Sequence, residues 1–300
     1  MNRSSSPTFL PYVALLSGLA LLGMSAILVR LAGAPGTVAA WYRVALAVAV
    51  VAPAFGWHIR KHGLPDRRGL VLAALGGLLF AGDLAAWSTG VMISGATNPT
   101  LLANTAPLWV GLGALLIFRE QLGAGFWAGL ALAIAGAALV LGLDAVRSVQ
   151  LGLGTLLGLL AGVFYGGYFL VTQRGRARLH VLMYFWLSSL VNAVGLLGLN
   201  LGLGVPLTGY STETYLYLGA LAIGPQVVGW LAINYAQGHL PASVVSPTLL
   251  GQPVVTALLA GPILGERLVP LQIVGGLAVL GGVYWVHRTR LSQKASPQPS

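Results

Sequence analysis

Apolar residues run along this chain in blocks of about 20, the length at which an α-helix crosses the hydrocarbon of a bilayer. Ten such blocks can be read, at roughly 10–30, 37–57, 69–92, 98–117, 123–142, 151–172, 180–202, 214–236, 242–264 and 270–287. The polar connections between them are short, so nothing outside the membrane is large enough to fold alone. The pattern predicts an all-α polytopic membrane protein with ten transmembrane helices.

The blocks are written twice. Pro107, Glu120, Leu122, Gly129 and Gly136 recur as Pro253, Glu266, Leu268, Gly275 and Gly282, each pair 146 residues apart. A second register, offset by 143, ties Trp41-Tyr42 to Tyr184-Phe185, Asp83 to Gln226 and Trp87 to Trp230. This divides the chain into a five-helix repeat at 1–145, a second at 146–290 and a disordered tail at 291–300. A unit with an odd number of spans enters the membrane the opposite way round the second time. The prediction is therefore a pair of inverted repeats, the arrangement with which secondary transporters build a midplane site that can open to either side.

Composition agrees and narrows the class. The chain is 57% hydrophobic and only 7% charged, with a mean hydropathy of +0.84. A soluble domain carries about 25% charged residues. Glycine supplies 42 of the 300 residues, which suits closely packed transmembrane helices. With no cysteine there is no disulfide, thiolate nucleophile or cysteine metal site, and no metal or cofactor is expected. The net charge of +10 is a topology signal rather than a nucleic-acid signal. With ten spans both termini lie on one side. If that side is cytoplasmic, the inward segments hold Arg3, Arg60, Lys61, Arg67, Arg68, Arg119, Arg174, Arg176, Arg178, Arg288, Arg290 and Lys294. The outward segments hold only Arg30, Arg147 and Arg267. That bias places the termini in the cytoplasm and the protein in the inner (plasma) membrane. All five histidines, His58, His62, His180, His239 and His287, fall at inward ends. Residues 1–30 imitate a secretory signal, but the repeat requires this run as the partner of the sixth span.

Polar residues inside the spans are the candidates for chemistry, because a charge at mid-bilayer costs about 2.5–3.5 kcal/mol or more. Two charged side chains qualify. Arg43 lies about 9 Å deep in the second span and Asp83 about 13 Å deep in the third, compatible with an ion pair or with a shared wet cavity. Asp83 and Trp87 are four residues apart and share a helix face; so do the repeat-related Gln226 and Trp230, with Asn234 one turn further. The sixth span adds Tyr165, Tyr168 and Thr172 at helical spacing, and the fourth and ninth add Asn104 and Gln252 beside Pro107 and Pro253. Any single aromatic could equally pack between helices or sit in the interfacial belt.

Gly154, Gly158, Gly162 and Gly166 form a smooth ridge along the sixth span, fit for close helix packing or for sliding. Pro107, Pro225 and Pro253 each remove a backbone hydrogen bond within a span, which makes them hinge candidates. Glu120 and Glu266 precede the fifth and tenth spans, where a carboxylate favours the positive helix start. They read as loop-fixing caps first and gates second.

The elements Pro107-Leu-Trp, ten residues, Glu120-Gln-Leu and Pro253-Val-Val, ten residues, Glu266-Arg-Leu resemble the paired EamA modules of the drug/metabolite transporter superfamily. Ala40-Trp41-Tyr42-Arg43 also resembles the Arg-bearing segment of those modules. The resemblance implies ten helices in two five-helix halves with inward termini. Within the superfamily the aromatic interior is most similar to bacterial exporters of aromatic amino acids and metabolites, which hold substrate in a central cavity. Asp83, Trp87, Asn104 and Tyr165 match that cavity. Those exporters carry tyrosine near the Asp83 and Asn104 positions, so exact selectivity does not carry over. The small multidrug branch uses a glutamate in its first span, and the first span here has no acid.

The expected function is export of a small neutral or zwitterionic metabolite, foremost an apolar or aromatic amino acid, by alternating access. Arg43 would meet the carboxylate and Asp83 the ammonium, while Trp87, Trp230 and Tyr165 offer flat surfaces. The alternatives are efflux of cationic compounds and a sensor or scaffold that moves nothing. An intramembrane enzyme would need a His pair, a Cys or two nearby acids within the spans, and these are missing. The expected partners are the bilayer and a small-molecule substrate, with no nucleic acid. The duplication lets a monomer supply both halves of a path.

Overall fold

A computed structural model describes residues 9–94, 97–142 and 152–295. Arg3, Arg147 and the last five residues of the expected tail lie outside the described residues. Ten helices are long and apolar enough to cross a membrane. They are α1 (Phe9–Ala32), α2 (Gly36–His62), α3 (Arg67–Ser94), α4 (Asn98–Ile117), α5 (Ala124–Leu141), α6 (Leu153–Arg176), α7 (Val181–Gly202), α8 (Thr212–Gln237), α9 (Ala242–Leu264) and α10 (Pro270–Arg290). The last helix continues to Ala295, past the boundary read at 290. Among the described residues there is no strand.

Hydropathy located the spans because lipid leaves a helix as the only way for a lone segment to satisfy its backbone. The prolines mark where that regularity fails. α4 is broken at Asn104-Thr105, and Pro107 opens the helix that follows. In α9 a 3₁₀ turn at Leu249–Gly251 precedes Pro253. Pro225 sits within a π-helical stretch, Ala222–Gly229, in α8.

Tyr12 in the first turn of α1 lies 5.7 Å from His287 near the end of α10. At the other end of α1 the carbonyl of Ala32 accepts from Thr214 Oγ1 at 2.8 Å, at the start of α8. The molecule thus has a near face, where α1 begins and α10 ends, and a far face opposite. Glu266 precedes the first residue of α10 and pairs with Arg30, whereas Glu120 pairs with Arg290 at the end of its membrane span, 2.6 Å away. Those 21 residues separate the two glutamates by about 30 Å. The repeated loops therefore lie on opposite faces, as inverted halves require.

Helix pairing follows the same rule. α1 packs on α8 and α9, and α6 packs on α3 and α4; α2 meets α7 and α5 meets α10. Exchanging the halves leaves this set of pairs unchanged. The glycines explain how close those contacts are. A Cβ added to Gly136 would lie 2.7 Å from the Gly275 carbonyl oxygen, and one on Gly282 2.6 Å from that of Gly129. The four glycines that recur in the sequence are therefore one antiparallel backbone contact between α5 and α10, made twice. The ridge on α6 lies against α4: a Cβ on Gly158 would meet Pro99 Cα at 2.6 Å, and one on Gly166 would meet Trp109 Cβ at 2.7 Å. Its repeat mate Gly23 meets Val255, the residue equivalent to Trp109.

Gly136→Leu should prevent α5 and α10 from closing, since the nearest atoms it strikes, Val279 N, Gly275 O and Ala278 C, all belong to backbone. We expect loss of the monodisperse species on size exclusion, with Gly281→Ala as a tolerated control because only Leu132, 4.0 Å away, lies near its added carbon.

Candidate functional site

Seven of the ten positions singled out from the sequence lie within reach of one another: Arg43, Asp83, Tyr165, Tyr168, Trp230, Asn234 and Gln252. Trp230 of α8 is 3% exposed and lies among aromatic rings from α3 and α6. Its ring centroid is 4.8 Å from Phe80 and 5.4 Å from Tyr168, both edge-on, and 6.2 Å from Tyr165. Phe80 in turn stacks on Tyr168 at 4.6 Å, and Tyr165 is 4.7 Å from Phe169. Such contacts contribute about 0.5–1.5 kcal/mol each beyond simple burial, so this box is a rigid wall. Asn234 closes its near side, donating from Nδ2 to the Trp230 carbonyl at 2.8 Å and to the Tyr168 hydroxyl at 3.4 Å.

Asp83 follows Phe80 by three residues and so borders the box from the same face of α3. It is buried, at 6% exposure. Arg43 of α2 and Tyr165 of α6 lie within electrostatic range of it. Arg43 and Asp83 nevertheless form no direct ion pair: the pairs among the described residues are Arg30–Glu266, Arg178–Asp66 and Arg290–Glu120. The direct ion pair that the depths allowed is therefore not formed. The buried Nε of Arg43 has no hydrogen-bond partner, and the residue as a whole is half-buried.

Gln252 of α9 reaches Tyr165. Gln226 is 1% exposed, in the π-helical turn that precedes Trp230, and π-helical turns are frequent at functional sites. Trp87 does not mirror Trp230. It donates to Thr100 Oγ1 of α4 at 3.0 Å, one turn before Asn104. The sequence pairing of Asp83 with Trp87 and Gln226 with Trp230 therefore yields one satisfied indole on α4 and one indole in the box whose Nε1 has no partner. Asn104 Nδ2, Gln226 Oε1 and Asn234 Oδ1 are likewise buried without partners. Buried polar atoms are normally bonded; others without partners lie elsewhere in the bundle, among them Thr37, Ser88, Asn192 and Gln237.

Three participants escaped the sequence reading. Phe80 stands three residues before Asp83, Phe169 four after Tyr165 and Thr100 four before Asn104. Each was within reach of the i, i+3 and i, i+4 rule applied to a residue already chosen.

The surroundings differ on the two sides of this site. Residues 246–251 of α9, toward the near face, are all buried; their repeat mates on α4 toward the far face, Thr100 to Thr105, are all half-buried, although Asn98 and Pro99 before them are buried like residues 244 and 245. Near-face contacts seal the box from below. Arg176 Nε donates to the Asn234 carbonyl at 2.8 Å, and the Ala242 N–H donates to Gln173 Oε1 at 2.6 Å. Glu120 Oε2 accepts from both Ser243 and Arg290 at 2.6 Å. The only ion pair among described residues on the far face, Arg30–Glu266, is half-exposed. A partly exposed arginine at the depth of Arg43 is tolerable where it faces water or protein rather than lipid.

Among the described residues no cluster of three or more His, Cys, Asp or Glu is placed to hold an ion.

Comparison with known proteins gives the class. The family model for EamA-like transporters matches residues 152–288, the second repeat. The uncharacterized transporter YdfC of Bacillus subtilis is 24% identical over 225 residues, 75% of this chain and 73% of its own. The uncharacterized protein PA1977 of Pseudomonas aeruginosa is 32% identical over 239 residues, 79% of this chain and 80% of its own. A protein of known crystal structure shares the fold with a TM-score of 0.76 at 19% identity, over 94% of this chain and 97% of that one. The chain belongs to the EamA-like transporter family, within the drug/metabolite transporter superfamily, and is a membrane transporter of small solutes.

Trp230→Ala should open a void in the aromatic box and cost about 2 kcal/mol or more. Trp87→Phe removes one hydrogen bond to α4 and should cost about 1 kcal/mol. Thermal unfolding of the detergent-purified variants separates the two.

Proposed function

We propose that this transporter exports a small zwitterion, an amino acid with an apolar or aromatic side chain, across the inner membrane by alternating access. The observation that carries the reading is the unpaired arrangement of Arg43 and Asp83 beside the aromatic box. Two opposite charges that do not neutralise each other suit a ligand bearing both an ammonium and a carboxylate. Asp83 attracts the ammonium, which the rings of Tyr165 and Trp230 also favour through cation–π attraction. Arg43 meets the carboxylate with a planar fork of donors. Phe80, Trp87 and Trp230 give the side chain flat apolar surfaces, and Asn104, Gln226, Tyr168, Asn234 and Gln252 supply the hydrogen bonds of the wall.

Orientation comes from the basic residues. Those at near-face ends outnumber those at far-face ends, and the positive-inside rule makes the near face cytoplasmic. In this state the site is closed to the cytoplasm and open outward. The opposite state follows from exchanging the two repeats, so that α9 loosens as α4 packs. Glu120, held between Ser243 and Arg290, then acts as the latch of the cytoplasmic side.

The test is counterflow in proteoliposomes with labelled amino acids. Arg43→Gln and Asp83→Asn should each lower transport of a zwitterion by about 10–100-fold, the worth of one charge-assisted hydrogen bond. If Arg43→Gln leaves transport intact while organic cations compete and Asp83→Asn abolishes it, the substrate is a cation and the zwitterion reading fails. Glu120→Gln should weaken the latch. Its expected signature is greater labelling of a single cysteine placed at Ser246, measured from the cytoplasmic side in this naturally cysteine-free chain.

A further inference from the structure

A second concavity lies away from the central site, on the near face, between the start of α3 and the end of α6. It has a volume of about 620 Å³ and is lined by Arg67, Arg68, Val71 and Leu72 of α3, with Arg174, Ala177 and Arg178 on or just beyond the end of α6. Four guanidiniums thus surround one space. Opposing them is a single carboxylate, Asp66, which stands 3.4 Å from Arg178 and accepts from the Gly69 N–H at 2.9 Å. Neither Arg67 nor Arg68 has a carboxylate within salt-bridge distance. Arg174 is steered over the Phe118 ring, 5.0 Å from its centroid.

Topology explains why arginines gather on this face. It does not explain why two helices bring four of them around one concavity. Gly69 makes the approach possible: a Cβ there would lie 2.7 Å from Leu179 Cδ2. The apolar part of the lining has its own direction. Val71 is 57% exposed and the adjoining Leu70 39%, and both stand within the first turns of α3, where the span enters hydrocarbon. Guanidiniums above and aliphatic side chains below match an amphiphile with an anionic head.

We propose that this concavity is a headgroup site for an anionic phospholipid of the near-face leaflet. Arg67, Arg68 and Arg174 bind the phosphate through charge-assisted hydrogen bonds, and the acyl chains descend past Leu70 and Val71. Arg178, already engaged by Asp66, contributes less. Basic pockets between transmembrane helices are suited to such headgroups. The inference is independent of what the central site carries.

Native mass spectrometry of the full chain in detergent, titrated with phosphatidylglycerol or phosphatidylcholine, tests it. The wild type should retain phosphatidylglycerol in preference to phosphatidylcholine. The variant Arg67→Gln/Arg68→Gln/Arg174→Gln should weaken phosphatidylglycerol binding by at least about tenfold. Arg60→Gln/Lys61→Gln, on the same face but outside the lining, should leave it unchanged. Asp66→Asn should strengthen it about two- to threefold, because it frees Arg178 while retaining the oxygen that caps α3. Equal losses in the two multiple variants would reduce the effect to bulk charge and overturn the site. So would a preference that survives in the triple variant. Should the triple variant aggregate, an Asp66→Asn protein with unchanged or weaker retention overturns it alone. Inorganic pyrophosphate bound in the concavity while phosphatidylglycerol is not would place the ligand in solution and defeat the lipid assignment.

Discussion

Backbone meets backbone where α5 crosses α10, and the rest of the bundle is arranged around that contact. Between helices in lipid there is little hydrophobic force to draw apolar surfaces together, so association depends on how closely they approach. Glycine removes the side chain that would hold them apart. Gly129 faces Gly282 and Gly136 faces Gly275, and each member of one pair is the repeat mate of a member of the other. An antiparallel two-fold can use one glycine pattern twice, so a duplicated sequence makes a self-complementary seam without any new residue. The same economy appears at α6 on α4 and at α1 on α9, where Gly166 and Gly23 receive Trp109 and Val255.

A seam that obeys the two-fold leaves the remaining helices free to depart from it. The departures include the first halves of α4 and α9, followed by Pro107 and Pro253, and the π-helical turn of α8, whose mate in α3 is regular α-helix. Residues 246–251 of α9 are buried, and residues 100–105 of α4 are half-buried. A proline at the start of the second segment lets the first half of a span change its packing without disturbing the second, because the hydrogen bond that would couple them is missing. On the reading proposed above, the two packings are the two states of a cycle, and each half takes its turn in either one.

The spans were legible because hydropathy and length measure the same constraint that the bilayer imposes. The inversion was legible from an odd span count together with residues 146 apart. The prolines were correctly read as breaks, since Pro107, Pro225 and Pro253 each adjoin or occupy a stretch that departs from the α-helix. What the sequence could not separate was symmetry of position from symmetry of environment. Trp87 and Trp230 are repeat mates, yet one bonds α4 and the other sits in a box with Phe80 and Tyr168. Their difference lies in the packing of α4 against α9, and no local pattern in either segment encodes which is closed. Phe80 and Phe169 were missed for a plainer reason. An apolar ring in an apolar span carries no signal until a polar neighbour on the same face has been chosen.

On the reading proposed above, the separation of Arg43 from Asp83 is what would distinguish this interior from a merely structural one. Each charge costs about 2.5–3.5 kcal/mol at mid-bilayer by the most lenient scale, and direct pairing is the usual way to offset that cost. A fold under pressure only to be stable would bring the two side chains together or replace both. Here the α2 and α3 backbones hold them near one space, within electrostatic range yet beyond ion-pair distance. The box of Phe80, Tyr165, Tyr168 and Trp230 fixes the face of α3 that carries Asp83. Two opposite charges held apart by rigid packing make an incomplete electrostatic circuit. A small molecule carrying both signs completes it, and a molecule carrying one sign leaves the other charge uncompensated. Selection for a zwitterion over a cation or an anion would then follow from the cost of the charge left unmatched, more than from the strength of either contact.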